Sequence, residues 1–182
     1  MTEEIGGAEV VAFWRAAGPE RWFARDDEFD AECRARFLDA WEVAGRGELN
    51  GWAETPEGAL GLVILLDQVP RNMFRGEPRA WSSDAAARAA AEAAIAKGFD
   101  LQVAEALRAF FYLPFEHAED RAAQARSVVL FQRLGNPENL KWARHHQGIV
   151  ARFGRFPHRN AVLGRTSTPA ELAFLEVDDF RG

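Results

Sequence analysis

A single cysteine, Cys33, is all that the 182-residue sequence offers, which excludes an internal disulfide and suits a reducing compartment. Long apolar runs are missing too. The longest uninterrupted aliphatic stretch, Leu62 to Leu66, falls far short of the ~20 residues that a membrane-spanning helix needs. The opening residues Met1-Thr2-Glu3-Glu4 are acidic and no apolar run follows them, so no secretory leader is expected. There is no glycine-rich phosphate loop, dinucleotide fingerprint or nucleophile elbow. Net positive charge is absent as well: Lys+Arg 22 against Asp+Glu 28 gives −6, a poor balance for coating nucleic acid or an anionic bilayer. The expectation is a cytoplasmic protein with neither nucleic acid nor membrane as partner.

Hydrophobic residues make up 48% and charged residues 27%, which excludes disordered, collagenous and coiled-coil compositions. A chain of this length builds its own core, so residues 1–182 are expected to form one domain. Helical punctuation is plain. Thr55-Pro56, Asn136-Pro137 and Thr168-Pro169 each set a capping side chain before a proline at the first helical position. Glu171, three residues after Thr168, completes a capping box. Ser83-Asp84 opens an alanine-rich run that stops at Lys97-Gly98, and Asp100 is placed to cap a segment from Leu101. These signals predict an all-α chain of about eight helices, near 8–17, 27–45, 56–68, 84–97, 101–113, 118–134, 137–153 and 169–176. No alternating stretch suits a half-buried strand.

Charge is unevenly spread. Residues 1–60 hold fourteen acids and six bases, whereas 140–165 hold Lys141, Arg144, Arg152, Arg155, Arg159 and Arg165 with no acid. Such a stretch pairs with the acidic half or faces an anion. Three segments concentrate the polar chemistry. In the first, an apolar helix ends in Asp67-Gln68, followed by Pro70, Arg71 and Asn72. A carboxylate at the negative end of a helix dipole needs a cationic or multi-donor partner if buried. Arg71 is the near candidate, and Pro70 is expected to stop the helix. In the second, Pro114 breaks the helix and brings Glu116 and His117 together at an aromatic wall, a pair suited to proton transfer or to completing a helix junction. The third, Arg152 to Asn160 with Arg165, is a loop broken by Gly154 and Pro157. Its guanidiniums suit two-pronged recognition of carboxylate or phosphate, from a ligand or from the chain itself.

Adjacent His145 and His146 point about 100° apart on a helix and do not form the i, i+4 chelate of zinc-binding helices. Cys33 shares an apolar stripe with Phe29 and Phe37 and reads as packing. No metal and no cofactor are expected.

Asp67-Gln68 through Asn72, Phe111 to His117 with Glu119-Asp120, and Arg152 to Asn160 with Leu163-Gly164-Arg165 closely resemble the bacterial domain-of-unknown-function family 924. The similarity runs from Val10-Val11-Ala12-Phe13-Trp14 to the final helix. It implies antiparallel helix pairs similar to tetratricopeptide repeats (a TPR-like α-α superhelix), although the repeat consensus is absent here. It implies no established activity.

Two functions from different classes follow. In the first, the three segments converge on a pocket for a small carboxylate or phosphate. Asp67, Gln68, Arg71, Asn72, Arg152, Arg155, Arg159, Asn160 and Arg165 would bind the ligand, and His158, His117 and Glu116 are the candidates for any catalysis. The alternative is a protein-interaction module or homo-oligomer without catalysis, using exposed tryptophans among Trp14, Trp22, Trp41, Trp52 and Trp81. A purely structural use of the same polar residues stands beside both.

Overall fold

The computed structural model describes residues 5–178. Among the described residues the regular structure is helical and no strand occurs. The α-helices are α1 Gly7–Ala17, α2 Pro19–Trp22, α3 Asp27–Gly45, α4 Pro56–Asp67, α5 Val69–Met73, α6 Asp84–Ala96, α7 Glu105–Arg108, α8 Leu113–Glu116, α9 Arg121–Leu134, α10 Pro137–Phe153 and α11 Pro169–Val177. Short 3-10 turns lie between several of them.

The proline-led starts fold as their sequences dictate. Thr55 accepts from the Gly58 amide, Asn136 from the amides of Glu138 and Asn139, and Thr168 from that of Glu171. Two expectations change. Pro70 does not simply stop α4; it lies in the first turn of α5, where a missing amide hydrogen costs nothing. The helix expected over 101–113 is broken into 3-10 turns at Phe99–Leu101 and Ala109–Phe111 around the single turn of α7. Asp100 does not cap it. Its carboxylate accepts from the Tyr112 hydroxyl at 2.7 Å, and Arg108 Nε donates to its carbonyl at 3.0 Å. A straight helix would hold residues 100 and 112 about 18 Å apart, so this closure requires the segment to coil back.

The chain divides into two compact units. The first comprises residues 5–75 and 79–114, the second 76–78 and 115–178. In the first, α4 is buried from Ala59 to its end at Asp67 and packs against α1, α3 and α6. Its approach to α1 is glycine on glycine: a Cβ on Gly61 would stand 2.1 Å from the Gly7 carbonyl oxygen. Cys33 lies on the apolar stripe of α3 with Phe29 and Phe37, and burial pushes its thiol up to about 12.

In the second unit, α9 and α10 pair lengthwise across the link Gly135-Asn136. Ile149, Val150 and Phe156 form the core, flanked by Phe153 and Phe174. Gly154, at φ +73°, ends α10 in the left-handed conformation and releases the arginine-rich loop.

Candidate functional site

The Asp67 segment lies in the first unit; Glu116, His117 and the Arg155 segment lie in the second. At the end of α4, Asp67 is fully buried. Gln68 Nε2 donates to its Oδ2 at 2.6 Å, and Arg71 Nη1 stands 3.5 Å from its Oδ1. Arg71 also donates to the Asp67 carbonyl and forks onto Asp84, Nη1 to Oδ1 at 2.9 Å and Nη2 to Oδ2 at 3.0 Å. Asn72 donates to Asp30 Oδ1 at 2.8 Å, a carboxylate that Arg75 forks as well. The helix end is thus closed by a cation with two carboxylates, a geometry that offsets the cost of a buried charge.

In the second unit the basic loop is knitted by acids from outside it. Arg155 donates from Nε to Glu171 Oε1 at 2.7 Å and from Nη2 to Oε2 at 2.8 Å. The fork on Arg155, with the Thr168 amide at 2.8 Å, holds the Glu171 carboxyl down at about 2. Arg165 forks onto Glu119 at 2.6 and 2.8 Å, and the Phe156 amide donates to the same carboxylate at 2.7 Å. Burial pushes Glu119 up, but Arg165 and that amide outweigh it and hold its pKa below the usual value. Asn160, 1% exposed, ties the two pairs together. Its Oδ1 accepts from Arg165 Nε at 2.9 Å, and its Nδ2 donates to Ser167 Oγ at 3.0 Å and to Glu171 Oε2 at 3.3 Å. Arg152 lies at the surface over the Phe153 ring.

Arg159 is buried, with its guanidinium 4.5 Å from the centre of the Phe156 ring. Two imidazoles adjoin that ring: His146 at 5.5 Å and His158 at 5.6 Å between centroids. His146 Nδ1 lies 2.9 Å from the Trp142 carbonyl oxygen and 3.2 Å from Glu116 Oε1. Both partners are acceptors, which assigns the proton to Nδ1. Burial pushes this imidazole down to about 3, with His117, His145 and Arg159 adding to the effect. The Glu116 carboxylate meets His146, thirty residues on.

Gln124 and Ser127 carry no individual sequence signal for function, yet both are buried on the inner face of α9. Gln124 Nε2 donates to the carbonyls of Glu116 at 2.6 Å and Ala118 at 2.8 Å. Gln124 Oε1 and Ser127 Oγ have no hydrogen-bond partner. Helical spacing places the two on the stripe of Ala123, Leu130 and Phe131, so a polar pair on an apolar face was the legible sign. Among the described residues no group of three or more His, Cys, Asp and Glu could hold a metal ion. Nor is any helix among them long and apolar enough to cross a membrane.

What these features define is an all-helical protein whose polar interior is built from long-range arginine–carboxylate forks and a buried Glu–His–Arg set. The chain belongs to the bacterial family of unknown function DUF924, whose model matches residues 10–179. It is similar to the solved structure of a protein of unknown function from Agrobacterium tumefaciens. That protein is 50% identical over 94% of this chain and 97% of its own, with a TM-score of 0.91. No curated protein matches.

Proposed function

We propose that the second unit binds a small anionic ligand, a carboxylate or phosphate, with Arg159 as the recognising cation. The observation that carries this reading is a buried guanidinium over an aromatic ring that two imidazoles adjoin. Arg155 and Arg165 are closed in forks on Glu171 and Glu119 and hold the loop in shape. Arg159 is only 6% exposed, with its guanidinium 4.5 Å from the centre of the Phe156 ring, which His146 and His158 adjoin. A guanidinium in such surroundings acts on an anion through a low effective dielectric, where its attraction exceeds that of a solvated side chain. Asn160 and Arg165 set the position of the loop that carries it. His158, His117 and Glu116 are the groups through which a proton would move to or from the ligand. Asp67, Gln68, Arg71 and Asn72 serve in this reading to lock the junction of α4 and α5, and Arg152 is the surface control.

The docking-module alternative drew on exposed tryptophan. Trp14 and Trp41 are buried and Trp22, Trp52 and Trp81 are half-buried, so these five lend it little support; the exposed aromatic side chains among the described residues are Phe23 and Trp142.

Thermal-shift and calorimetric titration of the full chain with phosphate, sulfate and small carboxylates tests the assignment. At least one anion should raise the melting temperature; Arg159→Ala should abolish the rise and Arg152→Ala should keep it. An unresponsive wild-type protein, or an Arg159→Ala variant that responds equally, removes the reading.

A further inference from the structure

The first unit carries an open cleft of about 350 Å³ between the end of α3 and the start of α6, and Trp41, Glu42, Arg46, Ser82, Ser83 and Ala86 line it. That volume is at the low end of the ~300–1,000 Å³ of small-molecule sites. Its floor is fixed before any ligand arrives. Trp41 Nε1 donates to Ser83 Oγ at 3.0 Å, and that hydroxyl donates in turn to the Leu66 carbonyl at 2.6 Å. The indole therefore presents carbon surface and no free donor. The rim carries both charges. Glu42, in the last turn of α3, and Arg46, just past its end, stand at i and i+4 in the order that favours an ion pair between them. They do not make one. Glu42 Oε1 accepts from Arg79 Nη2 at 3.3 Å, while Arg46 donates from Nε to Glu48 Oε1 at 2.5 Å and from Nη1 to the Glu42 carbonyl at 3.2 Å. Among the described residues, Glu42 Oε2 and Arg46 Nη2 have no hydrogen-bond partner, and both side chains are exposed. Ser82 Oγ gives its hydrogen to the Arg79 carbonyl at 2.9 Å, which leaves that oxygen only lone pairs to offer.

We propose that this cleft binds a free apolar amino acid as its zwitterion. Glu42 and Ser82 Oγ take the ammonium, Arg46 takes the carboxylate, and the ligand's side chain lies along Trp41 and Ala86. The anion reading of the second unit plays no part in it. Side chains four apart on a helix start from Cβ atoms ~5–6 Å apart, and an α-amino acid holds its two charges on either side of one carbon, so one small molecule meets both groups at once. A lone carboxylate leaves Glu42 unmatched beside a second negative charge, and a lone amine does the same to Arg46. Exposed ion pairs are weak singly. Recognition here rests on meeting both charges together with apolar contact on a fixed indole.

The test is calorimetric titration of the full chain with two probe sets: leucine, 4-methylpentanoate and 3-methylbutylamine; phenylalanine, 3-phenylpropanoate and 2-phenylethylamine. In at least one set the amino acid should saturate the protein and bind about fivefold or more tightly than either single-charge analogue. Glu42→Gln should bring the amino acid and its acid analogue within about twofold of each other, and Arg46→Gln should do the same for the amino acid and its amine. Ala86→Trp, which fills the cleft and leaves both charges in place, should abolish binding. Weaker discrimination in both sets, or no binding by either amino acid, overturns the assignment. Binding that survives all three substitutions intact and is lost in Arg159→Ala belongs to the second unit and overturns it too. Glu42, Arg46 and Ala86 are exposed, so the variants should fold, and the wild-type comparison decides even where one does not.

Discussion

Glu171 receives Arg155 along two parallel hydrogen bonds of 2.7 and 2.8 Å while its Oε2 also accepts the Thr168 amide that starts α11. One carboxylate therefore caps a helix and anchors a loop sixteen residues away.

That double duty has a pH signature. The Glu171 carboxyl ionises at about 2 in the folded chain against an ordinary 4.5. A depressed folded value means that its contribution is complete above about pH 4.5 and disappears as the pH falls toward 2. Glu171→Gln keeps a capping-box side chain but loses the ion pair. Urea unfolding should show the variant less stable than wild type at pH 7 and the difference shrinking steadily below pH 4.5. A gap independent of pH would assign the effect to the cap alone.

Gly61 and Gly7 meet where no side chain fits. Gly61→Ala should cost about 3 kcal/mol or more, because the clash is with backbone that cannot step aside. In a chain of this size that is a fall of roughly 6–12 °C in melting temperature. Gly148, exposed within α10, has nothing within 4 Å of a built Cβ. Gly148→Ala should instead add about 1 kcal/mol from helix propensity. Paired calorimetric melts of the two variants check both signs.

Arg71 compensates the buried Asp67 and is itself forked by Asp84. Arg71→Met should destabilise the fold by about 3–5 kcal/mol, the range for stripping a buried charge of its partner. Adding Asp67→Asn to it should recover part of that loss. A double-mutant cycle in urea measures the coupling, and additive effects would contradict the pairing.

Cys33 is buried and its thiol is pushed up to about 12 by that burial, with Asp30 and Glu32 adding to it. Iodoacetamide at pH 8 should leave it untouched in the native protein and alkylate it rapidly in guanidinium. Intact-mass measurement reads both outcomes.

The sequence made the helix ends legible because a cap acts within three residues. Thr55, Asn136 and Thr168 each hold an amide at i+2 or i+3, and no distant contact enters that bond. The helical stripe of Cys33 with Phe29 and Phe37 was readable for the same reason. The segment after Asp100 was not, since a cap-like carboxylate there is claimed by the Tyr112 hydroxyl twelve residues on. The acid-free basic stretch announced a need for negative charge and did not name its source. Several carboxylates have the right chemistry for Arg155 and Arg165, and spacing along the chain does not rank them.

Composition, periodicity and capping alone settled that this chain is all-helical and where most of its longer helices begin. Only the tertiary structure decided that Arg155 goes to Glu171, Arg165 to Glu119 and Glu116 to His146, and that Gln124 and Ser127 are buried with unmatched oxygens. The reason is range: a helix cap is a bond between near neighbours, whereas ion pairing and burial depend on which distant groups the packed helices bring within about 3 Å.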